Sequence, residues 1–301
     1  MAQSLSTAAN IDVGSSAAIS RFCEHLEFFS GHPPLIVRAL ASGESNLNYY
    51  IKTERGEYVL RRYPLDTLGV CRQQELRCQH AAAAIGLAPA PLALNNHQQL
   101  LISDYISDGI PLALNTERLT LLAVVVAKLH SLTIQTPVLQ VSQYLRQLMD
   151  NSQLASLEPA ATLFAALLHS AEQMQSLPFD RVLCHMDLHQ GNVLWAKQQI
   201  WLLDFEYAQL TDSSFDLAAI CLNYQLNQAE ETQLLHAYIS ARHFSHSQTA
   251  RDCRHSLAER LHLAKRLYSG FCWLWYQASP DQDAALHWQN KLAQLLALKS
   301  T

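Results

Sequence analysis

Strand-forming and helix-forming segments are segregated along this chain, with one exception, and that segregation most restricts the folds open to it. Short β-branched or aromatic runs crowd the first third: LIVRAL, NYYIKT and EYVLRRY, then PLALN (91–95) and QLLISDY (99–105). Gly56, inside T-E-R-G-E, is a hairpin-turn signal. Helices are expected from Ile19 to Phe29, stopped by Gly31 and Pro33-Pro34, and from about Val70 to Ile85, ended by Gly86 and Pro89. Beyond Asp108-Gly109 the pattern turns helical. Residues 116–132 place Leu119, Leu122, Val126 and Leu129 on one stripe, and helices also suit 152–176, 213–226, 228–242, 249–278 and 281–299. The exception is a β-like island at 182–208, with short strands at 193–195 and 200–203. The expected fold is α+β with two lobes: a loose polar tail over 1–18, a β-rich lobe over 19–105 and a helical lobe over 106–301. A ligand is expected in the cleft between them.

Charge and cysteine usage narrow the function classes. Lys and Arg total 21 against 26 Asp and Glu, a formal net charge of −5. An acidic chain is poorly suited to holding nucleic acid through phosphates, so no DNA or RNA partner is expected. The 7 Cys residues are odd in number and contain no C-x-x-C pair, which argues against a disulfide framework and a zinc ribbon. The first residues lack a basic start followed by an apolar stretch. No apolar run approaches the roughly 20 residues of a membrane span. The expected location is the cytoplasm, with no membrane partner.

The island carries the chemistry. His185-Met186-Asp187-Leu188-His189-Gln190-Gly191-Asn192 precedes one strand, and Asp204-Phe205-Glu206 follows the next, Ile200-Trp201-Leu202-Leu203. A hairpin of those strands brings the tips of Asp187, Asn192 and Asp204 to one end. Asn192 and Asp204 offer hard oxygen ligands, which suit Mg²⁺. Asp187 can accept a proton from a substrate hydroxyl. A rival reading takes His185, Asp187 and His189 as the metal triad of a hydrolase, since alternate residues of a strand share a face. That triad leaves Asn192 and the Asp204-Phe205-Glu206 segment without a purpose.

H-x-D-x-x-x-x-N followed by a D-F-E triplet resembles the aminoglycoside phosphotransferase and choline kinase family, which shares its two-lobed fold with protein kinases. The resemblance spans about residues 36–278. In CHMDLHQGNVLW, LLDFEYA and FDLAAI it is most similar to bacterial choline, ethanolamine and thiamine kinases. It implies ATP as phosphoryl donor and Mg²⁺ as cofactor, Asp187 as the catalytic aspartate, and Asn192 and Asp204 as holders of Mg²⁺ between the nucleotide phosphates. His185 then supports the loop, and His189 lies near the substrate.

A kinase-like first lobe needs four further parts. Between LIVRAL and NYYIKT lies the turn 41–48, which offers Ser42, Gly43, Ser45 and Asn46 to the phosphates through backbone N–H groups. The next strand offers Arg61 or Arg62 as the phosphate cation; alternation puts them on opposite faces, and Arg61 is preferred because V-L-R matches choline-kinase-like chains. Arg binds phosphate bidentately and does not simply replace Lys. Glu75, on the following helix, is expected to pair with Arg61. Asp104 and Ile106, after the strand QLLI, are expected to meet adenine through their backbone.

The acceptor is read as a small cationic alcohol phosphorylated at a primary hydroxyl: choline, ethanolamine or thiamine. Glu206 follows the metal aspartate by two and suits an ammonium group. Trp273 and Tyr276, three apart on one helical face, could hold the cation against their rings, or could be core residues. An aminoglycoside fits less well, because the remaining acidic residues are scattered rather than clustered. Asp216 is read as structural. An inactive nucleotide-binding scaffold is the alternative of another class.

Overall fold

The computed structural model describes residues 16–40, 46–65, 67–152, 154, 160–242 and 248–297. The chain divides into two compact units, one of residues 1–67 with 89–107 and one of 68–88 with 108–301.

The first unit is a five-stranded antiparallel sheet: β1 (Ile36–Ala39), β2 (Leu47–Lys52), β3 (Glu57–Arg62), β4 (Pro91–Asn95) and β5 (Leu100–Asp104), in the spatial order β1-β2-β3-β5-β4. Pleating sorts its side chains. Tyr49 lies opposite Leu60, and Leu60 opposite Ile102, so one apolar row crosses three strands. That face packs with Ile19 and Cys23 of α1 (Ser16–Glu24), Leu26 and Phe29. The opposite face is polar. It carries Tyr50, whose ring lies beneath the Arg38 guanidinium at 4.4 Å and whose hydroxyl donates to Glu57 at 2.7 Å.

The second unit is mostly helical: α2 (Arg72–Ala84), α3 (Thr116–Leu129), α4 (Val141–Ser152), α5 (Ala160–Gln175), α6 (Ser214–Asn223), α7 (Gln228–Ala241), α8 (Gln248–His255), α9 (Leu257–Gln277) and α10 (Gln282–Ala297). Two small sheets interrupt the helices. One orders β6 (Ile110–Pro111), β8 (Val193–Ala196) and β9 (Gln199–Leu202); the other pairs β7 (Arg181–Cys184) with β10 (Gln209–Asp212). The long α9 is the centre of the core, touching α4, α5, α6 and α10. It comes so close to α5 that a Cβ on Gly270 would lie 2.5 Å from a methyl carbon of Leu167. Asn115 caps α3, and Asn227 with Glu230 forms a reciprocal capping box on α7.

The structure differs from the sequence expectation in four elements. The helix α2, expected within a lobe over 19–105, clusters instead with the helical unit. Its Gln74 amide donates to the Ala208 carbonyl at 2.7 Å, and its Arg72 reaches Glu206 at 2.9 Å. The helix expected over 249–278 breaks at Ser256, where the buried Arg260 turns back to the Cys253 carbonyl and the Ser256 hydroxyl. An additional helix, α4, precedes α5, which begins at Ala160. The strands β7 and β10 hold four residues each and pair with each other, and Leu210 of β10 also bridges to Val138. Among the described residues, no helix is long and apolar enough to cross a membrane.

Candidate functional site

A tight hairpin places the two ends of the island together. Lys197 and Gln198, both at positive φ (50° and 60°), turn β8 into β9, as two-residue hairpin loops require. Val193 then lies opposite Leu202, and the Leu203 N–H donates to the Asn192 carbonyl at 2.8 Å. Asp204 follows directly, so the hairpin delivers Asn192 and Asp204 side by side. The Asn192 amide nitrogen donates to Asp187 Oδ2 at 2.7 Å and to the Asp187 carbonyl at 3.0 Å. These bonds use the amide donors and turn the Asn192 carbonyl oxygen, an acceptor, toward other use. With the Asp204 carboxylate it makes an all-oxygen donor set, which fits Mg²⁺.

Asp187 stands on strained backbone. Met186, directly before it, has φ 70°, and Asp204 has φ 61°. Non-glycine residues in this region cost of the order of 1 kcal/mol or more each. Both are held by hydrogen bonds. The Asp216 carboxylate accepts the His185 and Met186 N–H groups, each at 2.8 Å. The His185 ring is fully buried, lies 4.6 Å from the Phe205 ring, and donates Nε2–H to the Leu203 carbonyl at 2.8 Å. Asp216 therefore steadies the segment before Asp187, and His185 ties that segment to the one before Asp204.

His185 is thus committed to a backbone carbonyl, away from a triad with Asp187 and His189. Among the described residues, the one group of His, Cys, Asp and Glu close enough to surround an ion is instead His130, Cys184 and Asp216. All three are packed in hydrogen bonds of the core. His189 does approach Asp187, with Nε2 3.5 Å from Oδ2, while its Nδ1 accepts the Gly191 N–H at 3.0 Å. A Cβ on Gly191 would lie 2.7 Å from the His189 ring, so only glycine leaves the ring room there.

The other expected site residues fall as follows. Ser42, Gly43 and Ser45 lie outside the described residues. Asn46 is buried at the start of β2. Arg61 is buried on the polar face of the sheet, whereas Arg62 lies on the α1 side, over the Phe22 ring at 5.1 Å. Asp104 ends β5, with its N–H bonded to the Ala90 carbonyl at 3.0 Å; partial burial pushes its carboxyl up. Ile106 is half-buried just beyond. Glu75 and Glu206 are both buried and share one guanidinium: Arg72 Nη1 is 2.8 Å from Glu75 and 2.9 Å from Glu206. Glu206, expected to face a substrate cation, has its carboxylate engaged by Arg72.

The aromatic helix also needs correction. Trp273 is 1% exposed and lies in the core. Tyr268, Cys272 and Trp275 share the neighbouring stripe of α9, because four- and three-residue steps keep these positions on one face. The Trp275 indole N–H donates to the Tyr207 hydroxyl at 3.1 Å, and Tyr276, half-buried, packs edge-on against Trp275 at 4.9 Å. Burial pushes up the phenols of Tyr144, Tyr207 and Tyr268, and the negative charge of Asp187 adds to the rise in all three. The three tyrosines come from α4, the segment after Phe205 and α9. Sequence reasoning missed Tyr144, Tyr207, Tyr268, Trp275 and Arg72. Only Tyr207, beside the D-F-E triplet, carried a local signal.

Residues 36–260 match the model of the phosphotransferase enzyme family (APH). No curated protein sequence matches the chain. Among solved structures, it is similar to the choline kinase LicA from Streptococcus pneumoniae at 20% identity, covering 93% of this chain and 99% of that one, with a TM-score of 0.78. A choline/ethanolamine kinase family protein from Mesorhizobium loti aligns at 17% identity over 95% of each chain, TM-score 0.72. A structure of LicA in complex with AMP aligns at 19% identity over 92% of this chain and 99% of that one, TM-score 0.72. These likenesses establish the kinase-like α+β fold. The family match runs from the first strand of the sheet unit into α9 and spans Asp187, Asn192 and Asp204, and on it the chain belongs to the phosphotransferase enzyme family.

Proposed function

We propose that this protein transfers the γ-phosphoryl group of ATP to the primary hydroxyl of a small cationic alcohol such as choline, ethanolamine or thiamine. The observation that carries the reading is the pairing of Asp187 with Asn192 at 2.7 Å, beside Asp204 at the end of the hairpin. Asp187 takes the hydroxyl proton as the substrate oxygen bonds to phosphorus and the bond from phosphorus to the ADP oxygen breaks. Asn192 holds the Asp187 carboxylate in one orientation. Its own carbonyl oxygen, with Asp204, would hold Mg²⁺, which when bound neutralises charge on the phosphates. Arg61 is assigned to the phosphates. Ser42, Gly43, Ser45 and Asn46 are assigned to them through the backbone, and Asp104 and Ile106 to adenine.

The acceptor reading is supported by chemistry at the other side of Asp187. Tyr207 and Trp275, both half-buried, offer π faces, and a quaternary ammonium or thiazolium is attracted to such faces by about 0.5–2 kcal/mol each. His189 and Tyr276 are assigned to the rim of this pocket. AMP in the LicA complex and the choline named for LicA agree with a nucleotide and a cationic alcohol as the two ligands. The test incubates the protein with ATP, Mg²⁺ and a panel of choline, ethanolamine, thiamine, homoserine and kanamycin. ADP release with one cationic alcohol is expected. Turnover with kanamycin alone would overturn the acceptor class, and nucleotide binding with no turnover on any acceptor would mark a scaffold.

A further inference from the structure

The polar contacts that fix the Asp187 loop continue well beyond Asp216. The His130 ring, at the end of α3, is 3% exposed and lies with Nε2 3.0 Å from Asp216 Oδ2 and Nδ1 2.8 Å from the Tyr238 hydroxyl. Tyr238, on α7, is 0% exposed, and its ring meets the His130 ring edge-on at 5.5 Å. Arg242, one turn further, donates Nε–H to the Tyr238 oxygen at 3.2 Å and pairs through Nη2 with Asp180 at 3.3 Å. Burial pushes the Tyr238 phenol up, so it keeps its proton.

Donor counting gives the chain a single direction. The Arg242 guanidinium only donates, so the Tyr238 oxygen accepts from it. The Asp216 carboxylate only accepts, so a singly protonated His130 ring carries its proton on Nε2, and Nδ1 is the bare nitrogen that the phenol proton meets. The imidazole proton therefore sits on Nε2 and is given to Asp216. Asp216 in turn accepts two N–H groups from the segment that aims Asp187, one of them from the strained Met186. A wrong tautomer at His130 would set a bare nitrogen against the Asp216 carboxylate and a proton against the phenol proton.

We propose that Tyr238, oriented by Arg242, is a positioning residue for phosphoryl transfer: its hydroxyl fixes the His130 tautomer and, through Asp216, the backbone that aims Asp187. The role rests on Asp187 being the proton acceptor, and Tyr238 touches neither the nucleotide nor the acceptor. A relay of this kind acts on turnover more than on binding, because the loop it steadies carries the proton acceptor.

The test uses the full chain labelled with ¹⁵N-histidine, with His130 assigned from the signal lost in His130→Asn. The wild type is expected to show a protonated Nε2 and a bare, hydrogen-bonded Nδ1. In Tyr238→Phe the Nδ1 resonance moves to the position of a free imidazole nitrogen, kcat falls about tenfold, and KM for ATP stays within about twofold. A wild-type His130 protonated at Nδ1 overturns the proposal. So does a Tyr238→Phe variant that melts earlier but turns over at the wild-type rate, the result of a merely structural role. Should Tyr238→Phe fail to fold, Arg242→Gln keeps the phenol in place; a two- to threefold loss of kcat at constant KM is expected, and an unchanged kcat overturns the proposal. Absence of phosphoryl transfer from ATP to any acceptor or to water would remove the Asp187 reading instead, and the nitrogen spectrum would still decide the tautomer.

Discussion

Asp187 and Asn192 are joined twice: the Asn192 amide nitrogen donates to the Asp187 side chain at 2.7 Å and to its backbone carbonyl at 3.0 Å. One amide thus holds both the carboxylate and the turn that presents it. Asp187→Ala should lower turnover by about 10²–10⁴-fold, the usual worth of a positioned acid or base, while the Kd for ATP changes little. Stopped-flow turnover and equilibrium titration with ATP separate the two. Near-normal turnover would remove Asp187 from the chemistry.

Asp204 is expected to act on binding where Asp187 acts on rate. It follows β9 at φ 61°, beside Asn192. Asp204→Ala should remove the Mg²⁺ dependence of nucleotide binding, seen as a titration with ATP that no longer sharpens when Mg²⁺ is added. Unchanged Mg²⁺-dependent affinity would reject Asp204 as a ligand.

The hairpin that brings these residues together was legible because its parts are local. The apolar run Ile200-Trp201-Leu202-Leu203 marks one of its strands, and the motif on either side is continuous in sequence. The strand order of the sheet unit was not legible, but its strands were, since each is a short run rich in apolar, β-branched or aromatic residues and Gly56 marks the turn between two of them. What escaped were contacts between distant segments. Arg72 and Glu206 meet across 134 positions, and nothing near either residue announces the other. Trp273 and Trp275 sit two apart on one helix, and only the packing of α9 on four neighbours decides which of them is core. The break at Ser256 depends on Arg260 finding buried Asp212, a tertiary pair that overrides a continuous helical pattern.

Arg72 bridges Glu75 and Glu206 at 2.8 and 2.9 Å, and all three side chains are at most 10% exposed. Removing one partner of a buried ionic cluster costs about 3–5 kcal/mol, because the charges left behind stay desolvated. Arg72→Met should therefore destabilise the fold by about that amount in urea titration. Glu206→Gln should likewise appear first in stability. An acceptor KM that rises in Glu206→Gln at unchanged stability would restore the carboxylate to a substrate-facing role.

Asp216 predicts an acid limit. Burial alone would push its carboxyl up, but the hydrogen bonds it accepts from the His130 ring and the His185 N–H outweigh burial and hold it below the usual carboxylate range. A carboxyl lowered on folding adds stability that is complete above its unfolded value of about 3.9 and is lost as pH falls through the folded one. Asp216→Asn should accordingly be less stable than the wild type at pH 6, with the gap narrowing below about pH 4. Urea unfolding of both proteins between pH 6 and pH 3 measures the gap. A gap that stays constant across that range would show that the ionised carboxylate is not what stabilises the loop.

Trp275 tests the acceptor pocket without touching the phosphoryl-transfer groups. Its indole nitrogen is tied to the Tyr207 hydroxyl at 3.1 Å, which fixes the ring beside the residue that follows Glu206. Attraction of a cation to one such face is worth about 0.5–2 kcal/mol, or roughly a 2- to 30-fold change in affinity. Trp275→Leu keeps apolar bulk and removes the π face, so KM for choline should rise within that range while KM for ATP holds. The neutral isostere 3,3-dimethylbutanol supplies the control, since it matches choline in shape and lacks the charge. In the wild type choline should have the lower KM of the two; in Trp275→Leu the difference should shrink. An equal preference for choline in both proteins would mean that the charge is recognised elsewhere.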